Sequence, residues 1–296
     1  MVDVLKDSDL PGFWREADHA SSKGQEWTLR YEKLRLGGSV LAALGAVFSL
    51  RAGQVDVAAV VILCGFLIAL MAELAAWAHR PEELWYDGRA MAESAKTLSW
   101  RYAIGADPFK VDQPNGEAEM LLRERLSKIA EEASDRVTVG VNFLLITPGM
   151  ERLRCASFED RRKAYIEGRT RDQLTWYASR AKQNRRRATG WRVALIIAEV
   201  SAIVLAALRV VGWWEIDLAG LASAVIAAGA AWVGVKQFSP LASAYSMAAM
   251  ELAIQMDRLR GVPESEWPLV AADAEEAISR EHTLWLASRT GKRPKL

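Results

Sequence analysis

The stretch LAGLASAVIAAGAAWVGV, residues 218–235, contains no charged residue, and Asp217 and Lys236 stand directly at its two ends. A helix that crosses a bilayer needs ~20 mainly apolar residues, because the hydrocarbon core is about 30 Å thick and each residue advances about 1.5 Å. The stretch meets the lower limit of this length. It therefore predicts a transmembrane helix at about residues 216–236.

Two other stretches are nearly free of charge. Residues 57–78 contain one charged residue, Glu73, close to the end, and residues 193–211 contain Glu199 and, near the end, Arg209. Each is long enough to cross a bilayer if these side chains are sheltered or reach the boundary.

A fourth stretch, residues 36–50, is uncharged but short. It spans a bilayer only by borrowing length at its boundaries, where Arg35 and Arg51 can snorkel. The four predicted spans are about 35–51, 57–78, 192–211 and 216–236. A soluble protein with four buried helices is the alternative.

The overall composition excludes several classes of protein. Lys and Arg number 38 against 37 for Asp and Glu, a net charge of +1, which argues against a polybasic nucleic-acid binder or an acidic disordered chain. The two cysteines, Cys64 and Cys155, cannot build a disulfide framework or a cysteine zinc site. The three histidines are scattered, and the chain has no phosphate-binding glycine loop, paired-histidine motif or nucleophile elbow. We therefore expect no enzyme activity, no metal and no cofactor.

The spans fall into two pairs joined by short links, residues 51–56 and 212–217, so each pair predicts a helical hairpin. Arg30, Lys33 and Arg35 precede the first hairpin. A basic cluster without acidic residues precedes the second: Arg180, Lys182, Arg185, Arg186, Arg187 and Arg192. Basic flanks stay in the cytoplasm, so both termini are expected there. Because the cluster adjoins a span, lipid contact is favoured over nucleic-acid recognition.

The two halves of the chain repeat one layout. A shift that places Arg51 on Arg209 (209 − 51 = 158) also places Glu93 on Glu251, and in each half a hairpin is followed by a soluble helix. Between the hairpins, the run from Val137 to Leu145 alternates apolar residues as a short strand does. The predicted organisation is a first domain at 1–136, a linker with one strand at 137–157 and a second domain at 158–296.

Three segments resemble a known family in combination. RAMAESAKTLSWRYAIGADPF, residues 89–109, is similar to the helix after the second span of type-3 SLATT domains. RKAYIEGRTRDQLTWYASRAKQNRRR, residues 162–187, and EEAISREHTLW, residues 275–285, are similar to the start and the closing helix of type-1 SLATT domains. SLATT denotes the two-transmembrane effector domains associated with SMODS nucleotidyltransferases and SLOG sensors in bacterial conflict systems.

The resemblance implies a multi-pass protein of the bacterial inner membrane that acts as a pore-forming effector, for example against phage. It also implies a trigger, either a nucleotide messenger or a separate protein, because no sensor or nucleotidyltransferase domain is fused to these two domains. It supplies no catalytic residues.

Charged residues within the spans are candidate pore or gating residues, because a charge in hydrocarbon costs roughly 2.5–3.5 kcal/mol on insertion scales. Glu199 and Glu73 would favour cations if they face a lumen between subunits, and hydrogen bonding or protonation between helices is the alternative. Arg51 and Arg209 occupy equivalent ends of the first span of each hairpin. Snorkelling to the headgroups explains these two arginines without a gating role.

Two stripes of small residues recur at every fourth position of a predicted span, which permits close helix approach in lipid. They are Gly38, Ala42 and Ala46 in the first span and Gly220, Ala224 and Ala228 in the fourth. The pattern leaves open whether they pack a hairpin or a homo-oligomer.

One stripe of the first soluble helix is a candidate contact for a trigger, with packing inside the chain as the alternative. It consists of Arg89, Glu93, Lys96, Trp100, Arg101 and Tyr102.

Taken together, the sequence predicts an all-α membrane protein with four spans in two hairpins, helical cytoplasmic extensions and one short strand. The predicted function is a channel or pore-forming effector that assembles as a homo-oligomer in the lipid bilayer. The rival is a non-conducting scaffold or sensor that recruits a cytoplasmic partner.

Overall fold

The computed structural model describes residues 4–48, 51–52, 54–114, 116–133, 144–213 and 216–290, with side chains described as far as Ser279. The fold is helical. A short 3₁₀ turn, Asp7–Asp9, precedes the first helix, and the elements then follow in this order: α1 Gly12–Val47, β1 Arg51–Ala52, β2 Val55–Asp56, α2 Val57–His79, α3 Pro81–Ile104, α4 Glu117–Ala133, α5 Pro148–Arg154, α6 Phe158–Tyr165, a π-helical turn Ile166–Thr170, α7 Arg171–Val210, α8 Leu218–Lys236, α9 Phe238–Gly261 and α10 Trp267–Thr290.

The chain forms two compact units, and each unit takes residues from both halves of the sequence. The first, called here the helical unit, comprises residues 1–24, 82–181 and 243–296. The second, called here the hairpin unit, comprises residues 25–81 and 182–242. The hairpin unit holds the four predicted spans, and the soluble extensions lie in the helical unit.

Both hairpins in the hairpin unit use the same devices to begin and end their second helix. Asp56 caps α2 by accepting a hydrogen bond from the Ala59 amide at 3.1 Å, and Asp217 caps α8 by accepting one from Gly220 at 3.0 Å. Both helices end at a residue in the left-handed conformation, Arg80 at φ 44° and Gln237 at φ 49°. The repeated layout that the sequence predicts is thus present in the backbone.

The next soluble helix begins directly after each left-handed residue. α3 begins at Pro81, whose fixed φ suits a first helical position, and α9 begins at Phe238. The chain therefore leaves each hairpin by a helix break and not by a gentle bend.

The helical unit has a continuous apolar core. Its largest fully buried side chains include Trp100, Trp267, Tyr165 and Phe13. Leu122 and Leu126 bury one face of α4 in the same core. The Trp267 indole nitrogen donates a hydrogen bond to the Ile104 carbonyl at 2.9 Å, which satisfies the polar atom of this buried ring.

Three helical segments are long and apolar enough to cross a membrane: Val57–His79, Phe158–Val210 and Leu218–Gly261. They contain the predicted spans at 57–78, 192–211 and 216–236. The first predicted span, 35–51, is the C-terminal part of α1, which does not meet this criterion over the described residues. The apolar part of α1 is too short to meet it. The three other segments support a membrane protein, and a crossing by residues 35–51 remains a prediction.

The strands that the structure describes lie elsewhere than the strand predicted from the sequence. The described part of the chain has one tiny antiparallel ladder, β1 with β2, which pairs Arg51 with Asp56 and Ala52 with Val55. It lies in the first hairpin link, where the sequence predicts no strand. The predicted strand at 137–145 falls mostly on residues 137–143, which lie outside the described residues.

Candidate functional site

The apolar surfaces of α2, α7 and α8 have no protein to cover them within the described structure. None of the most apolar windows of α7 and α8 is buried, and only 11% of that of α2 is buried. Phe66 is 61% exposed and Ile203 is 68% exposed. Apolar surface on this scale is not stable in water, so these helices require lipid or other apolar helices around them.

The first hairpin is held by a backbone contact between glycines. A Cβ placed on Gly38 would lie 2.6 Å from the Gly65 carbonyl oxygen, and one placed on Gly65 would lie 2.5 Å from the Ala42 amide nitrogen. A Cβ placed on Gly45 would likewise lie 3.0 Å from the Ile62 amide nitrogen of α2. Within this chain, Gly38 and Ala42 therefore pack α1 against α2, while the third residue of the predicted stripe, Ala46, is exposed.

The second hairpin is packed more loosely. Near the Cβ position of Gly229 lie only side-chain atoms of Leu195, at 3.1 Å, and Trp191, at 3.5 Å. The predicted stripe lies beside this contact: Gly220 is exposed next to the Asp217 cap, and Ala224 and Ala228 are half-buried. Space for a further helix thus remains along the stripe on α8.

Glu73 forms an ion pair inside the first hairpin. Its Oε2 accepts a hydrogen bond from Arg35 Nη1 at 3.0 Å, and Arg35 Nη2 binds Glu32 at 2.7 Å. The group joins α1 to α2 at the cytoplasmic end that the topology predicts. Arg35 therefore compensates the charge of Glu73, which reduces the cost of placing this carboxylate near lipid.

The two arginines at the opposite ends of the spans differ. Arg209 Nη1 lies 2.8 Å from Asp217 Oδ1, so the second hairpin link contains its own ion pair, and Asp217 also caps α8. Arg51 is exposed in β1. Both positions agree with side chains that lie at the outer boundary of the membrane.

Glu199 is the uncompensated charge of the apolar surface. It is exposed on α7 between Ile196, Ile203 and other exposed apolar side chains, and the described residues supply neither an ion pair nor a hydrogen bond for its carboxylate. The nearby Ser201 hydroxyl donates to the Ile197 carbonyl on the same helix. Glu199 therefore needs a partner or water that this single chain does not provide.

The stripe on α3 is largely part of the helical unit's interior. Trp100 and Tyr102 are 2% and 1% exposed, and Arg101 Nη2 donates to the Ala272 carbonyl at 2.9 Å. Packing, the alternative left open by the sequence, accounts for these three residues.

The rest of the stripe forms ion pairs. Arg89 and Glu93 lie 3.8 Å apart, and Lys96 binds Asp7 at 2.8 Å above the ring of Trp14. Direct contact with a trigger stays a prediction only for Arg89, Glu93 and Lys96, the polar end of this stripe.

The basic cluster is exposed along α7. Its members Arg180, Lys182, Arg185, Arg186, Arg187 and Arg192 all lie on this helix, N-terminal to its apolar part. Arg180 stacks over Trp176, 5.4 Å from the ring centroid. The cluster thus has the exposure and the position of a juxtamembrane polybasic segment. Contact with anionic lipid stays a prediction for it.

The helical unit contains a buried ion pair that is not predicted from the sequence. Arg169 donates from Nε to Glu275 Oε1 and from Nη2 to Glu275 Oε2, both at 3.0 Å, and the Tyr165 hydroxyl donates to the same carboxylate at 3.0 Å. Arg169 is 1% exposed, and Tyr165 and Glu275 are fully buried. The pair joins the π turn before α7 to α10.

Burial and the carboxylate together set the protonation of this group. Burial raises the pKa of the Tyr165 hydroxyl far above its ordinary value, and the Glu275 charge raises it further. Burial acts to lower the pKa of Arg169, but the Glu275 carboxylate outweighs it and raises the pKa. The Arg169 guanidinium thus stays charged and the Tyr165 hydroxyl stays neutral at any physiological pH.

A signal for this pair exists in the sequence. Glu275 lies four residues after Ala271 and three before Ile278, on a stripe of α10 that is otherwise apolar and buried. A carboxylate on a buried stripe needs a cation or several donors. The sequence therefore indicates that Glu275 needs a partner, but it does not identify Arg169 as that partner.

Neither the polar cavities nor the acidic groups identify a ligand. A cavity of 380 Å³ in the helical unit lies beside the Arg161–Glu264 and Lys110–Asp107 ion pairs, so its charges are largely compensated. Within the ranges that the structure describes, no three His, Cys, Asp or Glu side chains are grouped closely enough to hold a metal ion.

Comparison with known families gives two adjacent matches. Residues 11–162 match the family described as SMODS and SLOG-associating 2TM effector domain 3, and residues 165–285 match SMODS and SLOG-associating 2TM effector domain 1. No curated protein and no solved structure matches the chain.

Proposed function

Because the chain belongs to the SLATT family, as a tandem of its domains 3 and 1, we propose that it permeabilises a membrane when triggered. The resemblance predicted from residues 89–109, 162–187 and 275–285 is confirmed by these matches. Domains of this family are two-transmembrane effectors of conflict systems, so the protein is a membrane effector. Pore formation, a bacterial inner-membrane location with cytoplasmic termini and activation by a nucleotide or partner protein belong to the proposal.

The observation that carries the proposal is Glu199. The other carboxylates within the predicted spans are paired: Glu73 with Arg35, and Asp217, at the boundary, with Arg209. Glu199 lies in the middle of an unburied apolar surface and has no partner among the described residues. A lone carboxylate is costly in hydrocarbon and faces protein or water. An aqueous path shared between copies of the chain supplies that water.

Assembly of several copies follows from the same surface. Four helices of one chain enclose no wide path, whereas neighbouring copies cover the loosely packed α8 stripe and place several Glu199 side chains around one axis. A ring of carboxylates attracts cations and repels anions. We therefore propose a homo-oligomeric, cation-preferring pore lined in part by α7.

The test is ion flux from liposomes that contain the purified full-length protein, alone and with cytoplasmic extract as a source of the trigger. We expect Glu199→Gln to keep flux but to lower the cation-to-anion permeability ratio toward one, because the carboxylate ring loses its charge. Glu266→Gln, the same charge change at an exposed position of the helical unit, is the matched control and should keep the ratio. An unchanged ratio in Glu199→Gln would remove this residue from the path.

The rival function is a non-conducting scaffold or sensor, and one surface favours it. Met247, Met250 and Ile254 lie on one face of α9 and are 67%, 63% and 64% exposed. Exposed apolar side chains at helical spacing are common at protein contacts. The two functions separate in the flux assay, because a scaffold passes no ions under any of the conditions.

A further inference from the structure

The π-helical turn Ile166–Thr170 interrupts a helix that otherwise runs without a break from Phe158 to Val210. A π turn holds one residue more than an α turn and is rare, because it is less favourable than the α-helix and persists where surrounding contacts hold it. Conversion of this turn to α-helix would change the register of α7 by one residue, which is about 100° of rotation.

The contacts that hold the turn are all in the helical unit. Arg169, inside the turn, is clamped by Glu275 of α10, and Tyr165, directly before the turn, binds the same carboxylate. A Cβ on Gly168 would collide with the side chain of Val4 and lie 3.4 Å from Trp100, so the turn is also packed against the core.

The clamp is not fully satisfied. Arg169 Nη1 is buried without a hydrogen-bond partner within the described structure. Unsatisfied buried groups raise the free energy of the clamped state relative to a state in which they are hydrated. The Arg169–Glu275 pair thus combines strong electrostatic attraction with the free-energy cost of an unsatisfied buried group. This combination is expected of an ion pair that can be broken in a conformational change.

Further along α7, the helix docks a second time through two adjacent aromatic residues. Tyr177 is 4% exposed and packs with Leu252 and Ile278, while its neighbour Trp176 packs at the edge of the same cluster. Both rings contact Tyr245, with centroids 5.4 Å away for Trp176 and 5.7 Å away for Tyr177.

These adjacent aromatic residues allow α7 to pack in two rotational positions. A change of register by one residue brings Trp176 to the angular position that Tyr177 now holds, so an aromatic ring fills the cluster before and after rotation. Packed elements change between discrete arrangements of this kind and not continuously.

We infer that the π turn Ile166–Thr170 and the Arg169–Glu275 clamp form a rotational switch, in which release of the clamp converts the turn to α-helix and exchanges Tyr177 for Trp176 in the cluster. α7 is helical without interruption from Arg171 to Val210, so this rotation reorients Glu199. The consequence for conduction rests on the proposed function. The switch itself does not.

The experiment replaces the six tyrosines of the full-length protein by 3-fluorotyrosine and measures fluorine NMR in detergent with a soluble paramagnetic agent. Tyr177→Phe assigns the Tyr177 resonance. In the parent protein and in Glu276→Gln, the exposed neighbour on α10, we expect the Tyr177 resonance to be protected from the agent. In Glu275→Gln we expect its paramagnetic relaxation to rise several-fold, because Tyr177 leaves the cluster.

A second variant guards against misfolding of the first. The triple replacement Tyr165→Phe, Arg169→Met and Glu275→Leu removes both charges of the clamp and the Tyr165 hydroxyl, and it should expose Tyr177 as well. Protection of Tyr177 in this folded triple variant, equal to that in Glu276→Gln, would overturn the switch. Flux from the same variants tests conduction separately: exposure of Tyr177 without flux in any condition supports the switch and contradicts the pore.

Discussion

Replacing Glu275 by alanine should lower the free energy of unfolding by about 3–5 kcal/mol, the usual loss when one partner of a buried ion pair is removed. The carboxylate accepts two hydrogen bonds from Arg169 and one from Tyr165. Its removal leaves a charged guanidinium and a neutral hydroxyl without an acceptor in a site that is 0–1% exposed. The measurement is denaturant unfolding of the full-length protein in detergent, followed by tryptophan fluorescence.

Two of the twelve tryptophans lie beside the pair, because the Tyr165 ring is 5.9 Å from both Trp100 and Trp267. Glu276→Ala is the control, since Glu276 is exposed beside Glu275 on α10, and a surface change of this kind costs within about 0.5 kcal/mol. Equal losses in the two variants would show that the buried pair contributes little.

A combined replacement separates the attraction between the two charges from the desolvation cost of burying them. Arg169→Met with Glu275→Leu removes both charges and fills similar volume, so it should recover most of the loss, as buried pairs often cost in desolvation what they gain in attraction. The Tyr165 hydroxyl then lacks an acceptor. Adding Tyr165→Phe to the double variant should raise the free energy of unfolding by about 1 kcal/mol more. If the double variant is as unstable as Glu275→Ala, specific attraction and not desolvation dominates.

The sequence predicts the second span of each hairpin well. Residues 57–78 and 216–236 correspond to α2, Val57–His79, and α8, Leu218–Lys236. Lipid imposes a length and excludes charge, and both requirements are local properties of the chain. The aspartate caps and the left-handed ends refine these limits by only a few residues.

The buried pair and the glycine contact depend on long-range packing, which one sequence does not contain. Arg169 and Glu275 are 106 positions apart, and many arginines in the basic stretch could equally have met this carboxylate. The π turn is still harder to predict, because π-helical turns are rare and no residue pattern in Ile166–Thr170 specifies one. For the same reason, the stripe at Gly38, Ala42 and Ala46 predicts a close contact but not the partner helix.

That contact gives the second large expected effect. Gly38→Ala should destabilise the first hairpin by about 1–3 kcal/mol or more, because the new methyl group meets main-chain atoms that cannot move like a flexible side chain. A Cβ on Gly38 would lie 2.6 Å from the Gly65 carbonyl oxygen and 2.9 Å from the Ala69 amide nitrogen. The helices must therefore separate, which also lengthens the Arg35–Glu73 ion pair, 3.0 Å in the packed hairpin.

The chain offers a matched control one residue away. Gly37 lies on the same helix, and a Cβ there meets nothing within 4 Å. Gly37→Ala should be neutral or stabilising by up to about 1 kcal/mol, since alanine favours the helix over glycine. SDS titration of the full-length protein in mixed micelles compares the two unfolding midpoints. If both variants shift alike, helix propensity and not the glycine contact governs this hairpin, because only the contact distinguishes Gly38 from Gly37.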